Sequence, residues 1–204
     1  MISRQWLVGE GAGAPPWREA ATAPAGAAPL RLAVATALAE IEADPRWQEI
    51  GTAWFADEDH VARFDLWAGT LAAGSLLAEE VVVRGGDWLD RRWREGGPRV
   101  KHVAVAGRRA GLSPEEFSGR WRAHAGSVGA TPIPESARGQ AYVQRHVLDE
   151  HGSWDAVTEV WFDDVDSLRS RVAWMREALA SSPPDDLFGE RHLLAVREEL
   201  LLPG

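Results

Sequence analysis

The 204-residue chain has no cysteine, which excludes disulfide scaffolds, thiolate nucleophiles and Cys-ligated zinc or iron–sulfur centres and fits a reducing cytoplasm. No apolar run approaches the ~20 residues of a membrane-spanning helix, so no membrane partner is expected. Residues 1–10 contain one basic side chain and only a short apolar stretch, unlike a signal peptide. Positive charge is in deficit. With 22 Lys and Arg against 31 Asp and Glu the net charge is -9, which argues against a nucleic-acid partner, because such binding comes largely from phosphate neutralisation. The one basic cluster, Arg84, Arg91, Arg92, Arg94 and Arg99, is interleaved with Asp87, Asp90 and Glu95 and reads as a solvated connector. GxGxxG, GxxxxGK[ST] and GxSxG are all absent. The six histidines show no HxH, HxxxH or HExxH spacing, so neither a nucleotide cofactor nor a metal is expected.

What remains is an ordinary globular composition, 45% hydrophobic and 26% charged, with room for one large domain or two small ones. Aromatic content is lopsided: 11 Trp against 1 Tyr and 5 Phe. Rigid, flat side chains suit an aromatic or polycyclic ligand and suit a plain core equally well.

The tryptophans reveal a repeat. Trp47, Trp54-Phe55, Asp57, Asp59 and Trp67 recur, at an offset of 107 residues without a gap, as Trp154, Trp161-Phe162, Asp164, Asp166 and Trp174. All three tryptophans of the first block meet tryptophans in the second, which indicates a duplicated unit. Each copy reads as a buried strand, 47–55 and 154–162, followed by an aspartate placed to cap the next helix. In the second copy Val165, Leu168, Val172, Met175 and Leu179 make one apolar helical face, which Ser181–Pro184 ends. A last strand is expected at about 192–198.

Upstream, Lys101–Gly107 reads as a strand. Ser113, Pro114 and Glu116 open a helix with an N-cap, a first-turn proline and a capping-box glutamate. Phe117, Trp121, His124 and Val128 share its stripe, Gly126, Gly129, Pro132 and Pro134 break it, and 140–147 reads as another strand. The order is β-α-β-β-α-β, a ferredoxin-like unit spanning 98–204. Residues 1–97 show strands near 30–36, 47–55 and 78–84 and a helix after Asp57, with no convincing first helix in the Gly-, Ala- and Pro-rich stretch 10–29.

These residues carry a resemblance. Lys101 and Arg108-Arg109, Ser113 with Glu116-Phe117, Trp121 with His124, Tyr142-Val143-Gln144 with His146, and Trp161-Phe162-Asp163-Asp164 resemble the EthD family of the dimeric α+β barrel superfamily. The likeness covers about 100 residues of the second half and, in the first half, only the Trp-Phe-x-Asp block. It implies an α+β fold in which two ferredoxin-like units pair through their sheets, here within one chain as a pseudo-dimer, with a monomer or homodimer in solution. It also implies cofactor-independent tailoring chemistry of the cyclase, dehydratase or lyase type on a hydrophobic, aromatic or polyketide-like molecule of secondary metabolism. A cofactor-free monooxygenase of the antibiotic-biosynthesis type and a non-catalytic binding barrel are the alternatives.

The residues allow a site in the second unit. On strand 140–147 Tyr142, Gln144 and His146 alternate with Val143, Arg145 and Val147, so three polar groups share one face. A polar strand face is costly unless it lines a wet or ligand-filled space. Turned toward the helix stripe, it would bring His146, His124 and Tyr142 together as an acid/base set, with Gln144, Trp121, Phe117, Glu159 and Trp161 contacting substrate. His124 is either such a group or a core histidine bonded to a backbone carbonyl. Glu159 is either a further acid/base or the partner of an arginine such as Arg145. His60, His102 and His192 are expected at the surface and His151 in a solvated turn. The first unit offers no Tyr, Gln or His at the matching strand positions, which makes it scaffold.

Overall fold

A computed structural model describes residues 1–9, 16–72, 74–96, 99–123, 127–128, 131–148, 152–181 and 186–202. The chain opens with strand β1 (Ile2–Val8) and a short helix α1 (Pro16–Ala20), followed by β2 (Arg31–Ala37) and β3 (Glu49–Phe55). Helix α2 (Glu58–Ala68) leads through a 3₁₀ turn (Gly69–Ala72) to β4 (Leu76–Arg84). Helix α3 (Gly86–Glu95) precedes β5 (Arg99–Arg108), α4 (Pro114–Arg122) and the two-residue strands β6 (Ser127–Val128) and β7 (Thr131–Pro132). Then come α5 (Glu135–Arg138), β8 (Ala141–Val147), β9 (Ala156–Phe162), α6 (Val165–Ser181) and β10 (Phe188–Leu202).

The long strands close into one antiparallel barrel in the order β1-β3-β2-β10-β5-β9-β8-β4, while β6 and β7 pair apart from it. The first-half strands run together as β4-β1-β3-β2 and the second-half strands as β10-β5-β9-β8. The result is a mixed α+β fold with its helices outside an eight-stranded barrel. Among the described residues no helix is long and apolar enough to cross a membrane.

Alternate side chains of each strand point into the lumen. One end of the lumen is apolar, filled by Ile50, Leu76, Val103, Val105, Val157, Leu194 and Val196. The other is closed by α3, whose Trp88 and Leu89 pack on Ala141, Val143 and Trp161. Outside, α2 lays Val61 and Phe64 on Leu32, Ala53 and Phe55. Helix α4 lays Phe117 and Trp121 on Ala106 and Ala156, and α6 lays Leu168 and Val172 on Val100, Val160 and Phe162. The repeat aspartates cap as their spacing predicts, Asp57 accepting from the His60 amide at 2.8 Å and Asp164 from the Ser167 amide at 2.7 Å. Equivalent tryptophans of the repeat meet. Trp47 and Trp154 touch edge to face at 5.5 Å, and Trp54 and Trp161 both contact Trp93 of α3, at 5.4 and 5.7 Å.

Between the lumen's ends lies a fully buried ionic layer. Lys101 Nζ donates to Glu159 at 2.7 Å and to Glu198, Arg145 bonds Glu159 at 3.0 Å and pairs with Glu80 at 2.6 Å, and Arg99 stands 3.5 Å from Glu198. Trp54 Nε1 donates to Glu80 at 2.6 Å, and Gln5 reaches Glu159 across the lumen at 3.3 Å. The Lys101 and Arg145 charges hold the Glu159 carboxyl down at about 2 despite its burial.

Several sequence expectations need correction. The basic stretch after Arg84 is no solvated connector: it forms α3, an amphipathic plug with Trp88 and Leu89 inward, and Arg99 beyond it is buried in the ionic layer. Strand β1 went unassigned because its lumen-facing residues, Ser3 and Gln5, are polar and buried, which inverts the usual alternation. The last strand runs from Phe188 to Leu202, longer than 192–198, with bulges in its pairing to both neighbours. His60 and His102 are buried, not surface residues: His60 contacts the Ala28 carbonyl oxygen at 2.8 Å and packs edge-on against Phe55. The stretch 10–29 does hold a helix, one turn long, whose Trp17 is buried against β3; a Cβ on Gly51 would lie 2.3 Å from its ring, so only glycine admits it there.

The ionic layer generates a stability prediction. Glu159→Gln leaves Lys101 and Arg145 buried without their shared carboxylate, and breaking a buried pair this way costs about 3–5 kcal/mol. Urea denaturation at pH 7 should show a midpoint lowered accordingly, and an unchanged midpoint would mean the layer contributes nothing to stability.

Candidate functional site

The alternation of β8 sends Arg145 into the lumen and Tyr142, Gln144 and His146 outward, Gln144 and His146 against α4 and Tyr142 against α6. His146 is 3% exposed, although nothing about a strand demands a histidine there. Its ring lies 4.4 Å from Trp121 of α4, centroid to centroid, and its Nδ1 is 2.9 Å from Ser118 Oγ. Gln144 is buried and spans the face. Its Nε2 donates to Tyr142 Oη at 2.9 Å and to the Trp121 carbonyl at 3.3 Å, which turns Oε1 toward His146 Nε2 at 3.4 Å. An amide oxygen can only accept, so this geometry assigns the ring proton to Nε2 and leaves Nδ1 as the acceptor of the Ser118 hydroxyl. The chain Ser118–His146–Gln144–Tyr142 is therefore one connected hydrogen-bond network.

The two titratable ends are shifted in opposite directions from neutrality. Burial, reinforced by the nearby Arg122 cation and only partly offset by Glu79, lowers His146 to about 4, so it is a neutral base at pH 7. Burial raises the Tyr142 phenol, which stays protonated. His102 of β5 joins the same outer face: it stands opposite Val160, which is itself opposite Tyr142. Burial, with Arg171 and Arg176 adding to it, lowers His102 to about 3.

Of the residues singled out in the sequence, His146, Tyr142, Gln144, Trp121 and Phe117 share this layer. Phe117 stacks on Trp121 at 5.9 Å rather than on the histidine. Glu159 and Trp161 project from the opposite face of β9 into the lumen, where Lys101, Arg145 and Gln5 occupy the carboxylate, so they do not meet His146. His124 and His151 lie outside the described residues. Sequence reading missed Ser118 and placed His102 at the surface, whereas it is buried. Ser118 follows Phe117 and precedes Trp121 by three, so it lies on the same flank of the helix, and the alternation of β5 put His102 on the face of Ala104 and Ala106.

Beside this layer a cleft of about 470 Å³ opens between α5 and the start of α6, with Arg84, Arg138, Ser136, Ser167 and Phe162 in its walls. Its floor is backbone held tightly. Arg84 donates to the carbonyls of Arg138, Gly139 and Gln140 at 2.5, 2.8 and 3.3 Å. Gly139 has φ 71° and a Cβ there would lie 2.6 Å from the Trp161 carbonyl, so this turn requires glycine. Among the described residues no cluster of three or more His, Asp or Glu side chains is arranged to hold a metal ion.

No family model matches the chain, and no curated protein does. Among solved structures it is similar to a protein described as a "putative monooxygenase" from Lactobacillus acidophilus NCFM, at 13% identity and a TM-score of 0.39, covering 100% of this chain and 96% of that one.

The two depressed histidines set a pH dependence of stability. Unfolded, each titrates near 6.5; folded, His146 titrates near 4 and His102 near 3. The unfolded chain therefore binds more protons below about pH 6.5, and stability present above that value is lost as pH falls toward 4. Each histidine contributes a slope of up to about 1.4 kcal/mol per pH unit in this window. Urea midpoints at pH 7, 6 and 5 should fall progressively, and His102→Gln should flatten the decline; a flat wild-type profile would refute the buried neutral state.

Proposed function

We propose that the chain is a cofactor-independent acid–base enzyme acting on a hydrophobic, aromatic or polyketide-like small molecule, a cyclase, dehydratase or lyase, with the site in the layer between α4 and β8. The observation carrying this reading is the path from Ser118 through His146 and Gln144 to Tyr142, with a neutral imidazole at one end and a protonated phenol at the other. A neutral base and a protonated acid on one strand face suit abstraction of a proton α to a carbonyl and its return elsewhere, the common step of enolisation, dehydration and aldol-type closure. His146 is the base and Tyr142 the acid or hydrogen-bond donor to the developing enolate. Trp121 and Phe117 supply the aromatic wall.

The EthD-like residues of the second half support the same reading. So does the strand order, since β4-β1-β3-β2 and β10-β5-β9-β8 each follow the antiparallel arrangement of a ferredoxin-like unit. We read residues 1–97 and 98–204 as two such units, joined edge to edge as an intramolecular dimeric α+β barrel in a cytoplasmic protein. Cofactor-free oxygenation is a second reading, and the specific observation for it is the Trp121 ring against the His146 base.

The test follows α-proton exchange of aromatic β-diketones in D₂O by NMR, and oxygen uptake with electron-rich polycyclic phenols. The enolisation reading requires exchange under nitrogen; absolute dependence on oxygen selects the second reading. His146→Ala should lower turnover by about 10²–10⁴ with folding retained, and Tyr142→Phe should lower it less. Full activity in His146→Ala, or loss that tracks unfolding alone, would make the cluster structural and leave a binding barrel.

A further inference from the structure

Arg171 of α6 is 4% exposed and has no acidic partner among the described residues. Its Nη1 donates to the Ala137 carbonyl at 3.2 Å, its guanidinium lies 5.1 Å from the Trp174 ring, and its Nε is buried without a hydrogen-bond partner. A buried guanidinium that lacks a counter-charge is costly, and the usual remedy is a carboxylate. Every buried cation of the lumen layer has one; Arg171 has a carbonyl and the neighbouring Tyr142 phenol. The cost has lowered its pKa to about 10, with burial the main cause and the nearby Arg84 cation adding to it.

Its position explains what could compensate. Arg171 follows Ser167 by one helical turn on α6, so both lie on one face, and Ser167 lines the cleft. The carbonyl that Arg171 holds belongs to Ala137, between Ser136 and Arg138, which also line it. Arg84, which also lines the cleft, donates to the next three main-chain carbonyls of the same segment and makes no carboxylate pair among the described residues. Two carboxylates do line the cleft. Asp163 is engaged by Trp88 Nε1 at 3.2 Å and by Arg92 at 3.7 Å, and Glu135 sits exposed on α5. Two guanidiniums, Arg84 and Arg138, thus line an open cleft, and a third, Arg171, is buried behind the Ala137 carbonyl with its Nε unpartnered.

We infer that this cleft binds the oxyanion of an aromatic ligand, a carboxylate or phosphate held by Arg84 and Arg138 with Ser136 and Ser167 as hydroxyl donors, the uncompensated charge of the buried Arg171 beside α5 attracting it. The inference rests on the proposed site for its direction, since an anion anchored here would lay the rest of the molecule toward Tyr142. It narrows the substrate from any hydrophobic aromatic to an acidic one.

The test requires no turnover. Benzoate, phenyl phosphate, inorganic phosphate and the neutral benzamide are titrated into the whole protein, with calorimetry and the arginine Nε–H resonances as readouts. Saturable binding of benzoate or phenyl phosphate with a shift of the Arg171 resonance, and none with benzamide, is expected; which of the two binds tighter distinguishes carboxylate from phosphate. Arg171→Met should weaken binding at least tenfold while preserving the fold, since a methionine fills the space and removes the unpaired charge. Arg138→Gln, exposed and safe for folding, should weaken it several-fold. His146→Ala should leave binding within twofold, so loss of the catalytic reading and loss of this one are separable. Equal response to benzamide, no saturable response, or unchanged affinity in a folded Arg171→Met protein would overturn the inference.

Discussion

The buried charges across the middle of the barrel are the constraint on which the rest depends. Glu80, Glu159 and Glu198 come from β4, β9 and β10, and Lys101, Arg145 and Arg99 from β5 and β8. Gln5 of β1 and Trp54 of β3 attach the remaining wall. A slip of one residue in any of these strands would turn its charge outward under a helix and its apolar neighbours inward, so the layer penalises wrong registers heavily. Buried ion pairs add little net stability over well-packed apolar residues, and specification of register is the better account of why so many are kept here. The apolar end layers then supply the hydrophobic stabilisation that the ionic layer does not.

With the lumen filled by side chains, it is in the outer layers that the two halves differ. The pairing register aligns Leu32, Val34 and Thr36 of β2 with Tyr142, Gln144 and His146 of β8, because their β3 and β9 partners are related by the 107-residue offset. In the first half this layer is plugged. Trp17 of α1 lies over Gly51, at the place where the second half has Thr158, and Trp6, Phe55 and Phe64 complete an apolar core. One tryptophan over one glycine therefore fills the space beneath α1 that polar groups occupy in the second half. The second half keeps a nine-residue α4 over small side chains, Ala106 and Ala156, with polar groups along β8.

What could be read from the sequence was whatever repeats or alternates. The 107-residue offset, the capping aspartates, the helix stripe of Phe117 and Trp121 and the polar face of β8 are all local patterns. Which face of a sheet is wet is not local. The alternation puts Arg145 with its flanking valines on the face away from the helix stripe, but that a buried charge is tolerated there depends on Glu80 and Glu159, 65 residues before and 14 after. Ser3 and Gln5 hid β1 for the same reason. The basic stretch after Arg84 was opaque because its apolar face is only Trp88 and Leu89, and the surface they cover exists only once the barrel has closed.

The outer layer of the second half separates the states of its groups by environment rather than by residue type. Burial keeps His102 and His146 neutral and Tyr142 protonated. The charges around them are Arg122 with Glu79 at the His146 end and Arg171 near Tyr142. Groups pushed apart in this way mark roles, because a neutral acceptor, a protonated donor and an uncompensated cation each stabilise a different stage of a proton transfer that creates an oxyanion. The buried guanidinium of Arg171, with its Nε unpartnered, is held at a cost. That cost is the physical reason a bound anion next to Tyr142 would stabilise the fold as well as fix the ligand.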